Sequence, residues 1–116
     1  MENYYDTLHN LLNKKVKVII DRRINSIHPK HKNIKYETNY GYIEDLIAPD
    51  GEYQDAYVLC FDENIEYFIG DVIAIVHRFD DNEDKLIVAN KNYTDEEIKK
   101  MINFQEKYFK YEIIRK

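Results

Sequence analysis

Hydrophobic and polar positions change period along this chain. Between residues 2 and 13, Tyr5, Leu8, Leu11 and Leu12 recur three or four apart, which predicts a short N-terminal helix. Val16-Lys17-Val18-Ile19-Ile20 is rich in β-branched residues and predicts a strand. DRRINSIHPKHKN after it has the polar, proline-containing composition of a loop, and extended character resumes near Ile34. Asp55 to Phe61, Ile65 to Ile69 and Val72 to Phe79 predict further strands, the last two separated by a turn at Gly70-Asp71; KLIVAN predicts another after the acidic turn DDNED. Thr94-Asp95-Glu96-Glu97 has the form of a capping box. Ile98, Met101, Ile102, Gln105, Tyr108 and Phe109 continue from it at helical spacing, so one face of a C-terminal helix docks on the strands. Several short strands followed by one helix predict a mainly β (α+β) fold, a small β-barrel with the helix packed against it.

The chain has 116 residues, enough for one domain with a real core and too few for two, so residues 1–116 are read as a single domain. Apolar runs such as Val72 to Val76 are strand-sized, and MENYYDTLHNLL lacks the basic start and apolar core of a signal peptide, so neither export nor membrane residence is expected. Cys60 stands alone, which excludes an internal disulfide and points to a reducing, cytoplasmic setting; YVLCF reads as strand core rather than a metal or nucleophile site. A net charge of -5 argues against long-range attraction to nucleic acid. His28 and His31 in HPKH lack a Cys or a third close His that would complete a zinc set.

Candidate chemistry gathers in NYGYIEDLIAPDGEYQD, residues 39–55. In an extended segment Asp50 and Glu52 point to one side, and Asp55 opens the next strand. Grouped carboxylates repel one another unless a cation joins them, and Mg²⁺ is the hard cation that binds a few carboxylates while keeping waters for a phosphate. A plain turn is the rival reading, since P-D-G is a turn signature in its own right. A second acidic run, Asp80-Asp81-Asn82-Glu83-Asp84-Lys85, lies between two predicted strands. With strand geometry, Glu83 and Lys85 share a face and Asp84 turns away; a solvated hairpin is the alternative. Tyr36 and Tyr40 fall on one face of an extended segment, with hydroxyls able to donate to phosphate oxygens.

The ordered words NYGYI, PDGEYQDAYVL, GDVIAIVHR, EDKLIVA and FQEKYFK, spanning roughly residues 16 to 110, resemble the soluble Mg²⁺-dependent inorganic pyrophosphatase family, and in particular its compact bacterial branch. The resemblance implies a closed or partly open OB-like barrel. It implies that Asp50, Glu52 and Asp55 bind metal, with Glu52 beside the nucleophilic water, and that Asp80 and Glu83 form a second acidic pair. Lys85, Tyr36, Tyr40 and Tyr108 would touch phosphate, and Asp21 would be a supporting carboxylate. Two or more Mg²⁺ ions are the implied cofactor, with Glu52, Asp55 and Lys85 carrying the chemistry.

Two departures from the family pattern stand out. Glu52 occupies a position where Asp is usual, and the usual Arg position before NYGYI falls on His28. Arg22, Arg23 and Arg78 are the arginines from which a substitute phosphate contact would come. The expected function is hydrolysis of a phosphoanhydride, pyrophosphate by default, by a metal-activated water. The alternatives are a hydrolase for another phosphorylated compound or nucleotide, and a non-catalytic metal or phosphate-binding module. The expected partner is a small phosphorylated substrate, with no nucleic acid and no membrane; homo-oligomerisation stays open.

Overall fold

The computed structural model describes residues 3–80 and 83–116. The elements are α1 (Tyr4–Leu11), β1 (Lys15–Arg22), β2 (Asn39–Ile47), β3 (Tyr53–Val58), β4 (Tyr67–Arg78), β5 (Lys85–Ala89), α2 (Asp95–Glu106) and β6 (Tyr111–Ile114). The sheet runs β1-β2-β3-β5-β4-β6, and β1 also pairs with β4. Five strands therefore close into a barrel of OB type, with β6 as an extra strand. All pairings are antiparallel except β3 with β5.

Two strands depart from the sequence reading. Gly70-Asp71 makes no turn: both residues pair inside one long strand, Gly70 with Val16 and Asp71 with Lys15 on one side and with Ala89 on the other. Ladder bonds on both edges of β4 override a local turn signal. The chain after Glu106 leaves the helical path, and Tyr111–Ile114 pairs with Ile75 to Arg78 as β6. That places β6 on the β4 edge that β1 occupies further down, so β4 has β5 along one side and β1 followed by β6 along the other.

The core divides into two clusters. Val16, Val18 and Ile20 of β1 alternate inward to meet Ile43, Val58, Val72, Ile75 and Leu86, and α1 adds Leu8 and Leu12. A second cluster joins the other faces of β3, β4 and β5 to Ile98, Ile102 and Phe104 of α2 and to Tyr36 and Tyr40. Strand β5 is buried along its whole length because it contributes to both. The register shift between Val72 and Ala74 in β4 lets Ile73 and Ala74 both face the α2 cluster before alternation resumes. Cys60 lies just past β3, partly buried against the first cluster.

Helix α2 begins as its sequence predicts. The Thr94 side chain accepts from the Glu97 amide, and the Glu97 carboxylate accepts from the Thr94 amide. Gly41 is dictated by packing: a Cβ there would stand 1.8 Å from the Ile19 carbonyl oxygen where β2 crosses β1. No helix among the described residues is long and apolar enough to cross a membrane.

Candidate functional site

A cleft of about 800 Å³ opens where the end of β1, the start of β2, the starts of β3 and β5 and the end of β4 meet the C-terminal end of α2. Its lining includes Asp21, Arg22, His28, Tyr36, Tyr40, Glu52, Asp55, Arg78, Glu83, Lys85 and Tyr108. Most of the predicted site residues thus share one wall system. Asp50 and Asp80 are not part of that lining. Gly51 has φ of 86°, and the Asp50 carboxylate accepts from the Glu52 amide at 3.0 Å, so residues 50 to 52 form the tight turn that P-D-G signals, not an extended pair with both carboxylates on one side. Asp80 accepts from the Lys110 amide at 2.7 Å, tying the end of β4 to the start of β6. Asp81, in the acidic run, lies outside the described residues.

Lys85 is the centre of the acidic wall. Its ammonium, on a side chain only 4% exposed, donates to Asp55 Oδ2 at 2.8 Å and to Glu83 Oε2 at 3.2 Å. Glu83 and Lys85 share a face as alternation requires; Asp84 turns away and is buried against His77 Nδ1 at 2.8 Å. Burial raises the Asp84 pKa, opposed by the hydrogen bond from His77. Tyr40 is buried beside this wall, with the Lys85 ammonium 5.9 Å from its ring centre. Burial and the Asp55 charge hold the Tyr40 pKa well above its ordinary range, so it stays a proton donor.

The opposite wall is aromatic and basic. Tyr36 lies 5.6 Å from the Tyr40 ring and stacks on His28 at 6.0 Å with planes 7° apart. His28 Nδ1 accepts from the Lys30 and His31 amides at 3.0 and 3.2 Å, which closes the HPKH turn and leaves Nε2 to carry the ring proton. Burial, then His31, Arg22 and Lys30, hold the His28 pKa below its ordinary value. Arg22 sits 3.6 Å from the Asp21 carboxylate and donates to the Asp21 carbonyl at 3.1 Å, and the Tyr36 pKa is raised chiefly by burial. A register shift between Ile20 and Arg22 allows consecutive residues Asp21 and Arg22 both to reach the cleft. Burial likewise raises the Asp21 pKa, against the pull of Arg22.

Arg78 forms the floor in a way the sequence did not announce. Its guanidinium makes a two-point bond to Glu106, Nε to Oε1 at 2.9 Å and Nη2 to Oε2 at 2.6 Å, and lies 3.8 Å over the Phe109 ring. Tyr57 donates to Glu106 Oε2 at 2.6 Å and accepts from Gln105 at 2.7 Å. Burial alone would lower the Arg78 pKa, but the Glu106 bonds raise it beyond the usual arginine value. The signal for Glu106 was present: it follows Ile98 and Ile102 at four-residue steps, a carboxylate on the apolar stripe of α2.

The donors facing the cleft from Glu52, Asp55, Glu83 and Asp21 are all carboxylate oxygens, the chemistry of a hard cation. Among the described residues no three His, Cys, Asp or Glu side chains close around one point. Mg²⁺ does not need such a cage, since one or two carboxylates, waters and a substrate phosphate complete its shell. Asp55 and Glu83, with side chains 37% and 42% exposed, match that open type.

No family model and no curated protein matches the sequence. Solved structures do match. An inorganic pyrophosphatase from Ehrlichia chaffeensis aligns with a TM-score of 0.69 at 15% identity, over 90% of this chain and 87% of the other. An inorganic pyrophosphatase from Coxiella burnetii aligns at 0.60 and 14% identity over 90% and 86%, and one from Helicobacter pylori at 0.57 and 18% over 87% and 82%. The fold is therefore the one seen in bacterial inorganic pyrophosphatases.

Proposed function

We propose that the cleft hydrolyses a phosphoanhydride, with inorganic pyrophosphate as the default substrate. The observation that carries the reading is the joint placement, on a pyrophosphatase fold, of Asp55, Glu83, Glu52 and Lys85 opposite Arg22, His28 and Tyr36 around one cleft. Asp55 and Glu83, assisted by Glu52 and Asp21, are the residues to hold Mg²⁺. Bound there, Mg²⁺ would supply positive charge and lower the pKa of a water.

The chain's own groups do the rest. Glu52 accepts a proton from the attacking water and keeps it oriented. Lys85 supplies a fixed ammonium for charge developing on phosphate and holds the Asp55 carboxylate. Arg22, Tyr36, Tyr108 and the Nε2–H of His28 donate to phosphate oxygens from the far wall, and Arg78 adds charge from the floor. Asp50 and Asp80 act at one remove in this reading, through the turns they close.

Phosphate release from pyrophosphate in Mg²⁺ tests the proposal. Asp55→Ala is expected to lower it by about 10²-fold or more. Absence of release by wild type at micromolar enzyme, with Mg²⁺ or Mn²⁺ and across pH, removes the reading for this substrate. In calorimetry Mg²⁺ should bind weakly alone and more tightly with phosphate present, because the protein offers an open shell.

The cleft volume favours a second reading. About 800 Å³ lies in the range of sites that enclose organic ligands, so a nucleotide or another phosphorylated compound is the alternative substrate. A panel of nucleoside polyphosphates beside pyrophosphate separates the two by their kcat/KM.

A further inference from the structure

The Asp55–Lys85 pair is held from behind by a side chain that faces away from the cleft. Strands β3 and β5 run parallel, and their ladder begins at Ala56 with Leu86. One step before it, the completely buried Gln54 takes over the stitching. Its amide nitrogen donates to the Asp55 carbonyl at 3.0 Å and to the Asp84 carbonyl at 2.7 Å. These two carbonyls belong to the peptide planes that follow Asp55 and precede Lys85, so the amide fixes the backbone from which both side chains spring.

The orientation of Gln54 has one solution. Turned over, the side-chain oxygen would face two carbonyl oxygens and the nitrogen would face Tyr4. As it stands, Oε1 accepts from the Tyr4 hydroxyl on α1. Burial raises the Tyr4 pKa, which keeps that hydroxyl a donor. With both amide protons and the oxygen engaged, and no water-accessible alternative at a fully buried residue, Gln54 cannot shift without breaking a bond.

We propose that Gln54 is the positioning residue for the Asp55–Lys85 pair and that Tyr4 locks it, so that helix α1, distant in sequence from that pair, sets its geometry. This rests on the reading of the cleft as a phosphoanhydride hydrolase, where a shift of about half an ångström in a reacting group matters. A purely structural Gln54 would affect stability alone.

The test compares Gln54→Met and Tyr4→Phe with wild type, and uses Val72→Ala, a core change away from the cleft, as a stability control. The first readout is the Lys85 ammonium resonance in NMR, which needs no turnover. The second is pyrophosphate hydrolysis. Gln54→Met is expected to lose or shift the ammonium resonance and to lower kcat by about 10-fold or more with KM changed little. Tyr4→Phe should do the same to a smaller extent, and Val72→Ala should lower thermal stability with the ammonium resonance and kcat retained.

An unchanged resonance and kcat in Gln54→Met overturns the proposal; if that variant does not fold, the same result in Tyr4→Phe overturns it. A control that loses kcat in proportion to stability also overturns it. If wild type proves inactive on pyrophosphate, the hydrolase reading fails while the Lys85 resonance still decides whether Gln54 positions the pair.

Discussion

Two buried cations serve this cleft, and they are built differently. Arg78 and Lys85 are 4% and 3% exposed, near neighbours on the paired strands β4 and β5. Arg78 faces Glu106, which is sealed completely and further bonded by Tyr57. Lys85 faces Asp55 and Glu83, both more than a third open to solvent. In the first network the main partner, Glu106, is removed from water and bonded at two points, while Glu83, shared with Lys85, is a longer and more exposed contact 3.7 Å from Arg78 Nη1. In the second, the carboxylates pair the buried ammonium while their remaining oxygens stay open to water or a metal. Burial of the acid, more than burial of the base, separates a structural ion pair from one poised for chemistry.

The sharpest break of that contrast is Glu106→Ala. Removing Glu106 leaves the buried guanidinium with the weaker contact of the half-exposed Glu83 carboxylate, 3.7 Å from Nη1, and should cost roughly 3–5 kcal/mol in urea unfolding. A loss below about 1 kcal/mol would show that the network is not sealed. Lys85→Met is the counterpart. Its carboxylates are already solvated, so stability should change by less than about 1 kcal/mol, while pyrophosphate hydrolysis falls by about 10²-fold or more. A large stability loss with activity retained would reverse the assignment of the two networks.

The smallest expected effect lies at the rim. The folded pKa of His28 is lowered from 6.5, so its contribution to stability is present above pH 6.5 and is lost as pH falls through the folded value. Burial and the neighbouring positive charges cause the shift, and the turn geometry acts in the same direction, since protonating Nδ1 would eject the Lys30 and His31 amides. His28→Asn keeps a short-range acceptor without a titrating ring and should flatten the acid limb of a thermal-unfolding series. An unchanged slope would mean that the turn does not depend on the neutral ring.

How much of this was legible depended on how local each cause is. The α2 start was readable because Thr94 and Glu97 satisfy one another within four residues. The shared face of Glu83 and Lys85 followed from alternation, whereas Tyr36 and Tyr40 come together because the chain bends at Glu37 and Thr38, not through the extended segment expected. Gly70-Asp71 misled because a local turn preference lost to pairing with strands far away in sequence. Strand β6 was hidden by its four-residue length behind a helical pattern. The turn at Asp50 depends on a left-handed Gly51, which composition suggests but spacing arguments treated as extended. Gln54 and Glu106 gave only faint signals, because a polar residue at an inward position names a need for partners without naming them.

Strand β4 touches β1, β5 and β6, and it ends at Arg78. Its amides alternate between neighbours on its two sides, so fraying of one neighbour leaves the other ladder in place. Hydrogen exchange along the middle of β4 should therefore report global unfolding, whereas the His28 turn exchanges through local opening. The cleft therefore joins a floor carried on the strand with the most neighbours to a rim closed only by the local bonds of the His28 turn, and exchange rates of the two should differ accordingly.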